Sequence, residues 1–306
     1  MLAYLLKRIA TTIPTLFIIV TIAFFMIRMA PGGPFDSERP VPAEIAANLD
    51  AVYHLDDSLA KQYVSYISRL VKGDFGPSFK YQDYSVTELI NKGFPVSLKL
   101  GLGAIVLALV IGISAGVISG LKQNTVTDYS VMFVSMTGIT IPNFVMAPLL
   151  ALFFGVILGW LPVAGWGGWK HMVLPIIALG LPQIAAVARM TRASLIETMN
   201  SPYIRTAKAK GLPLSLILFR HASRATLLPI LSWLGPAVAA IVTGSVVIEQ
   251  IFGLPGIGRY FVNGALNRDY TLVMGVVVFY GVLIVLMNLV VDVLYRLLDP
   301  RIRFDS

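Results

Sequence analysis

The chain has 306 residues, 57% of them hydrophobic and only 13% charged, with a mean hydropathy of +0.79. That composition is too apolar for an ordinary soluble domain and points to a membrane. The absence of cysteine excludes disulfides, a thiol nucleophile and cysteine metal ligands. The net charge of +8 does not by itself imply nucleic acid, because its meaning depends on where the charges fall.

Apolar runs of about 20 residues recur, the length at which a helix crosses the hydrocarbon core. The alternating strands of about ten residues that build a transmembrane β-barrel are absent. Six helical spans are predicted, at 9–27, 96–121, 129–158, 172–195, 226–251 and 271–298. Lys7-Arg8 ahead of the first run raises a cleaved signal peptide as an alternative. The run is too long for one, however, and Arg28-Met-Ala30 is a poor cleavage site, so segment 1–30 reads as a retained span.

Residues 31–95 are the largest non-membrane piece, too short and too polar to count on as an autonomous domain. They open on Pro31-Gly-Gly-Pro34, predict helices at 42–53 and 58–71, and end with Gly73-Asp-Phe-Gly-Pro-Ser78. An extracytoplasmic helical segment is expected, either a packed loop or a cap used for docking. Beyond it, 96–298 forms a core of five spans, followed by a tail at 299–306. In the second span Gly112, Gly116 and Gly120 recur every fourth residue, a seam along which another helix backbone can approach. Pro142, Pro148, Pro175, Pro182, Pro229 and Pro236 lie in spans three to five and predict kinks, serving either fixed shape or gating.

Placing the N-terminus inside collects 13 basic and 5 acidic residues on the cytoplasmic side, whereas 31–95 holds nine acidic and six basic ones. The asymmetry puts both termini in the cytoplasm. Five of the 13 inner basic residues gather in the loop 197–225. There Ser201 suits an N-cap, Pro202 the first helical position, Gly211 a left-handed stop and Pro213 the start of the next helix. This predicts a helix of about nine residues and a sharp turn. The helix carries Arg205, Lys208 and Lys210, with Arg220 and Arg224 beyond. Such a helix can lie on anionic lipid or dock on a protein, and its fixed turns favour the protein, since lipid binding needs none.

Catalytic residues are scarce. His54, His171 and His221 have no metal-ligand spacing, no Gly-x-Ser-x-Gly occurs, and no Gly-x-x-x-x-Gly-Lys-[Ser/Thr] occurs, so neither a metal site nor P-loop nucleotide binding is expected. Gly253-Leu-Pro-Gly256-Ile-Gly258 follows an apolar helix and reads as a turn at the membrane surface. Glu249 and Asp292 are the intramembrane acids, both near span ends. Asp292 is four residues from Arg296 and Glu249 is within reach of Arg259, so structural pairing is favoured over a proton relay. What remains is a passive conduit driven by something that docks on the basic loop. The alternative is a self-sufficient ion-coupled carrier or channel, whereas an intramembrane enzyme lacks any paired catalytic residues. Ser135, Thr137, Thr140, Asn143, Thr243 and Ser245 are candidate lining residues for the path.

Tyr203-Ile-Arg-Thr-Ala-Lys-Ala-Lys-Gly-Leu212, read with six spans, resembles the permease subunits of bacterial ABC importers of the oligopeptide/dipeptide/nickel class, in particular the B-type subunits of the oligopeptide branch. Phe75-Gly-Pro-Ser78, Leu121-Lys-Gln-Asn124, Asn200-Ser-Pro-Tyr203, Arg220-His-Ala222, Gly253-Leu-Pro-Gly-Ile-Gly258 and Asn263-Gly-Ala-Leu-Asn-Arg-Asp-Tyr270 extend the resemblance over essentially the whole chain. It implies a type I ABC importer permease fold, all-α with six transmembrane helices and a short cytoplasmic coupling helix, in the bacterial inner membrane. It also implies a second homologous permease, two ATPase subunits, an extracytoplasmic peptide-binding protein and a peptide substrate. No cofactor is implied. Dipeptides, nickel, glutathione and murein peptides are alternative cargoes. The family's Glu-Ala-Ala-x-x-x-Gly signature falls on Arg205-Thr206-Ala207 through Gly211, with Arg205 in place of the acid, as is common in the peptide class. The downstream Leu-Pro is also displaced: Arg224 stands where the proline is expected, and Leu228-Pro229 comes later. By resemblance, Tyr203, Arg205, Thr206, Ala207, Lys208, Lys210, Gly211 and Leu212 form the ATPase-coupling surface.

Overall fold

The structure, a computed structural model, describes residues 2–29, 56–81 and 83–298. The helix predicted at 42–53 and the tail at 299–306 lie outside those residues. Among the described residues the regular structure is helical, apart from one isolated bridge between Pro77 and Ser85. Its elements are α1 (Leu2–Arg28), α2 (Leu59–Val71), α3 (Val86–Leu121), α4 (Val126–Thr140), α5 (Asn143–Ile157), α6 (Trp169–Met199), α7 (Pro202–Ala209), α8 (Leu214–Ile251), α9 (Ile257–Leu266) and α10 (Tyr270–Leu298). Five of them are long and apolar enough to span a membrane, and the bent α4–α5 pair brings the number to six.

The third span was expected as one helix over 129–158. It is instead two helices meeting at 104°. Pro142 explains the break, because a proline ring pushes the preceding residue out of the α region, and Ile141 is extended at φ −96°, ψ 118°. The other spanning helices are longer than the predicted spans. Span two begins at Val86, so α3 reaches about 54 Å at 1.5 Å per residue. Helices α6 and α8 absorb most of the stretch read as a loop at 197–225, leaving only 200–213 between them. Arg220 and Arg224 depress the local hydropathy, yet the chain stays helical there, widening to a π-helix over Ile217–Ala222.

Two compact units are present. The first comprises Met1–Val96 and Pro255–Val285. One cluster in it packs Val86, Leu89 and Ile90 against Ile257, Leu272 and Val276; a second packs Val20 and Phe24 against Tyr66, Met274 and Val278. Asp269, fully buried, accepts from the Leu272 amide at 3.1 Å and the Ser78 hydroxyl at 2.5 Å. That contact brings the Phe75–Ser78 run and the Asn263–Tyr270 run together.

The second unit comprises Ser97–Leu254 and Leu286–Ser306. In it the glycine seam of α3 faces α6. A Cβ on Gly112 would stand 2.8 Å from Val187 Cβ, one on Gly116 would be 2.6 Å from the Ala188 carbonyl oxygen, and one on Gly120 would be 3.1 Å from Leu195 Cδ2. Gly138 of α4 meets the Leu181 backbone in the same way. In lipid, where apolar burial drives little association, such close backbone contact supplies the packing. Glu249 is fully buried and accepts from the hydroxyls of Ser97 at 2.6 Å and Ser245 at 2.5 Å. Hydroxyls are thus among its partners. The side chains of Asp292 and Arg296 lie outside the described residues.

Candidate functional site

Between α6 and α8 the chain makes the predicted short helix, eight residues long. Pro202 occupies its first turn. Ser201 stands at the N-cap, but its hydroxyl does not cap: it donates back to the Thr198 carbonyl at 2.6 Å, closing the turn out of α6 instead. The C-terminal end is a Schellman motif. The Gly211 amide donates to the Lys208 carbonyl at 3.0 Å and the Leu212 amide to the Ala207 carbonyl at 3.3 Å, with Gly211 at φ +73°. At that angle a side chain is strained, so glycine belongs there.

Burial divides the helix into two faces. Ile204 is 0% and Ala207 6% exposed, packed in a cluster with Leu195, Ile217 and Ala222 that Leu212 joins. Tyr203, Arg205, Thr206, Lys208, Lys210 and Gly211 face out. Of the eight residues predicted to form the coupling surface, Ala207 and Leu212 therefore anchor the helix and the other six present it. Ile204, the deepest anchor, was missed; its spacing of three from Ala207 within a basic segment is the signal that could have found it.

A second device braces the same unit. Asp128, 1% exposed, receives Arg192 Nε at 2.8 Å and Nη2 at 2.7 Å, the Asn124 amide at 2.9 Å, and the Ser119 hydroxyl. This bidentate pair ties the end of α3, the start of α4 and the last third of α6 together. Nothing in the sequence signals it, because its partners are 64 residues apart.

The six candidate path residues lie on α4, α5 and α8. Ser135, Thr137, Thr140 and Thr243 each donate to a carbonyl three or four residues back in their own helix. Ser245 is 1% exposed and committed to Glu249. Asn143 follows the Ile141–Pro142 break, with a buried Oδ1 that has no hydrogen-bond partner among the described residues. Among the described residues no three His, Asp or Glu side chains converge as a metal site.

A bundle of apolar spans with a rigid basic helix clipped to one turn, and no P-loop of its own, defines the permease class of transporter subunit. The chain belongs to the family described as binding-protein-dependent transport system inner membrane component, which matches residues 108–304. It is 56% identical to the oligopeptide transport system permease protein OppB of Escherichia coli (strain K12) over 306 residues, 99% of this chain and 100% of that one. The dipeptide transport system permease protein DppB of Bacillus subtilis (strain 168) is 45% identical, with 100% of this chain and 99% of that protein covered. Two solved structures share the fold. The MetNI methionine ABC transporter in an inward-facing conformation gives a TM-score of 0.59 at 19% identity, covering 69% of this chain and 96% of that one. An amino acid ABC transporter with histidines gives 0.55 at 16%, covering 69% and 94%. The chain is thus a multi-pass inner-membrane permease subunit of an ATP-binding-cassette importer, a class that works with ATPase and substrate-binding partners.

Proposed function

We propose that this permease carries oligopeptides. It pairs with a second homologous permease to enclose the path, two separate ATPase subunits drive it, and an extracytoplasmic peptide-binding protein delivers cargo. The 56% identity to OppB over the full length supports oligopeptides ahead of the dipeptides of DppB, at 45%. Nickel, glutathione and murein peptides rank lower. Both termini and the 299–306 tail lie in the cytoplasm, 31–95 lies outside, and Ser135, Thr137, Thr140, Asn143 and Thr243 are the candidates for the path. Ser245 acts through Glu249. The chain has no catalytic activity of its own; ATP is hydrolysed in its partners.

The observation that carries the coupling assignment is the two-faced α7. Its outward residues Tyr203, Arg205, Lys208 and Lys210 seat on an ATPase, while Ile204 and Ala207 pass the movement to α6 and α8 through their shared cluster. A helix fixed by both ends and one face moves as a lever, so closure of two ATPases is transmitted to the spans. Gly211→Val tests this. It places a β-branched side chain in left-handed backbone, costing about 1–2 kcal/mol locally and loosening the helix end. Peptide-stimulated ATP hydrolysis in proteoliposomes falls several-fold while the chain still inserts at wild-type level. Wild-type coupling in that variant would contradict the assignment.

A further inference from the structure

The first unit contains a cavity of about 260 Å³ that nothing in the transport reading uses. Its wall is aromatic, from Phe24, Tyr66, Phe75 and Phe79; Arg28, Lys61 and Arg69 line it as pure donors, and Asp57 and the Gln62 Oε1 are acceptors beside them. The Tyr66 side chain is 5% exposed, and its hydroxyl has no hydrogen-bond partner among the described residues. The same holds for Arg28 Nε, which is buried although its guanidinium also lies 5.8 Å from the Phe24 ring centroid. Arg69 stands at the exposed rim with no ion pair among the described residues. Asp57, also in the lining, pairs with Lys61 at 2.7 Å, so among the described lining residues the two arginines leave a net positive charge.

Burial pushes the Tyr66 phenol up to about 12, only partly opposed by Arg69, so the hydroxyl is a donor at any physiological pH. Buried donors ordinarily find acceptors, and orphaned ones that share a cavity mark a missing partner. What fits two guanidinium groups and a phenol O–H is an acceptor-only, negatively charged group. Position narrows the source. Arg28 is the last residue of the α1 span, and α1 exposes Ile18, Ile22 and Met26 on the way to it. An arginine at the end of a lipid-facing helix is placed at headgroup depth, and Tyr66 of α2 packs against Phe24 one turn before it.

We infer that Arg28, Tyr66 and Arg69 form an oxyanion site that takes a phosphate group at the membrane boundary. The phosphate comes from an anionic phospholipid or from free inorganic phosphate. The site is independent of the cargo and of the α7 contact, so it stands or falls apart from the transport assignment.

Native mass spectrometry of the purified transporter, delipidated and then titrated with phosphatidylglycerol, tests the lipid source; calorimetric titration with inorganic phosphate tests the free one. Loss of a charge-assisted donor weakens binding about tenfold for Arg28→Gln, and Arg69→Gln and Tyr66→Phe weaken it about threefold or more. Tyr66→Phe and Arg69→Gln keep the ring packing and the exposed rim, so they report on the site even if Arg28→Gln impairs folding. Weakening by these variants with phosphatidylglycerol alone assigns the lipid; weakening with phosphate as well assigns the free anion. Binding of neither probe, or equal binding by the wild type and all three variants, overturns the proposal.

Discussion

Arg192→Ala lowers the stability of the second unit by about 3–5 kcal/mol, because it strands a carboxylate that has no route to water. Asp128 is 1% exposed and takes two of the three guanidinium nitrogens, Nε and Nη2, at 2.7–2.8 Å, while the Ser119 hydroxyl and Asn124 amide fill its remaining acceptor positions. Two neutral partners do not compensate a buried full charge. The reverse change, Asp128→Ala, costs less, because the Arg192 side chain is 27% exposed and keeps access to solvent. The inequality distinguishes this account from simple loss of a pair, which predicts equal effects. Replacing both residues together by leucine and methionine recovers most of the loss, since an apolar pair has no desolvation to offset. Thermal melts of the purified complex for the two single variants and the double variant give the coupling energy. If Arg192→Ala melts with the wild type, the clamp carries no stability.

Gly116→Leu is the second large effect. At this glycine a Cβ would overlap the Thr191 side chain and reach 2.6 Å from the Ala188 carbonyl oxygen. A flexible side chain can swing away from a clash, but a helix carbonyl cannot. Helix α6 must then withdraw from α3, giving up the contacts at Gly112 and Gly120 as well. We expect a loss of about 3 kcal/mol or more, at the upper end for overpacking, read as a lower melting temperature and reduced abundance in membranes. Gly120→Ala serves as the graded control. Its nearest neighbours are Leu195 Cδ2 at 3.1 Å, which can shift, and the Arg192 carbonyl oxygen at 3.4 Å, so the cost stays within about 1 kcal/mol. Equal melting of Gly116→Leu and the wild type would show that the seam is not a packing contact.

The features legible in the sequence are those set by local chemistry. Spans follow from apolar length, and α7 follows from Pro202 and Gly211, whose backbone preferences act within a few residues. The glycine seam was legible as a surface, but which helix it meets was not, because i, i+4 spacing identifies a face and says nothing about its partner. The bend between α4 and α5 was hidden by averaging: apolar residues continue on both sides of Pro142, and hydropathy does not register a backbone turn. The continuation of α8 through Arg220 was hidden for the opposite reason, since charge there imitates a loop. The Asp128–Arg192 clamp and the cavity at Tyr66 depend on residues far apart in sequence, for which one chain carries no pattern. Ser201 shows the limit of local rules: the right residue at the N-cap still donates elsewhere when the preceding turn offers an acceptor.

The central claim is that this chain is a conduit moved by partners through α7. Proteoliposomes holding the chain alone are compared with proteoliposomes holding it with the second permease and both ATPases, each given peptide-binding protein, labelled oligopeptide and internal ATP. The account predicts ATP-dependent accumulation only with the full set, and none driven by a proton or sodium gradient in either. Gradient-driven uptake by the chain alone would contradict it and restore the carrier reading.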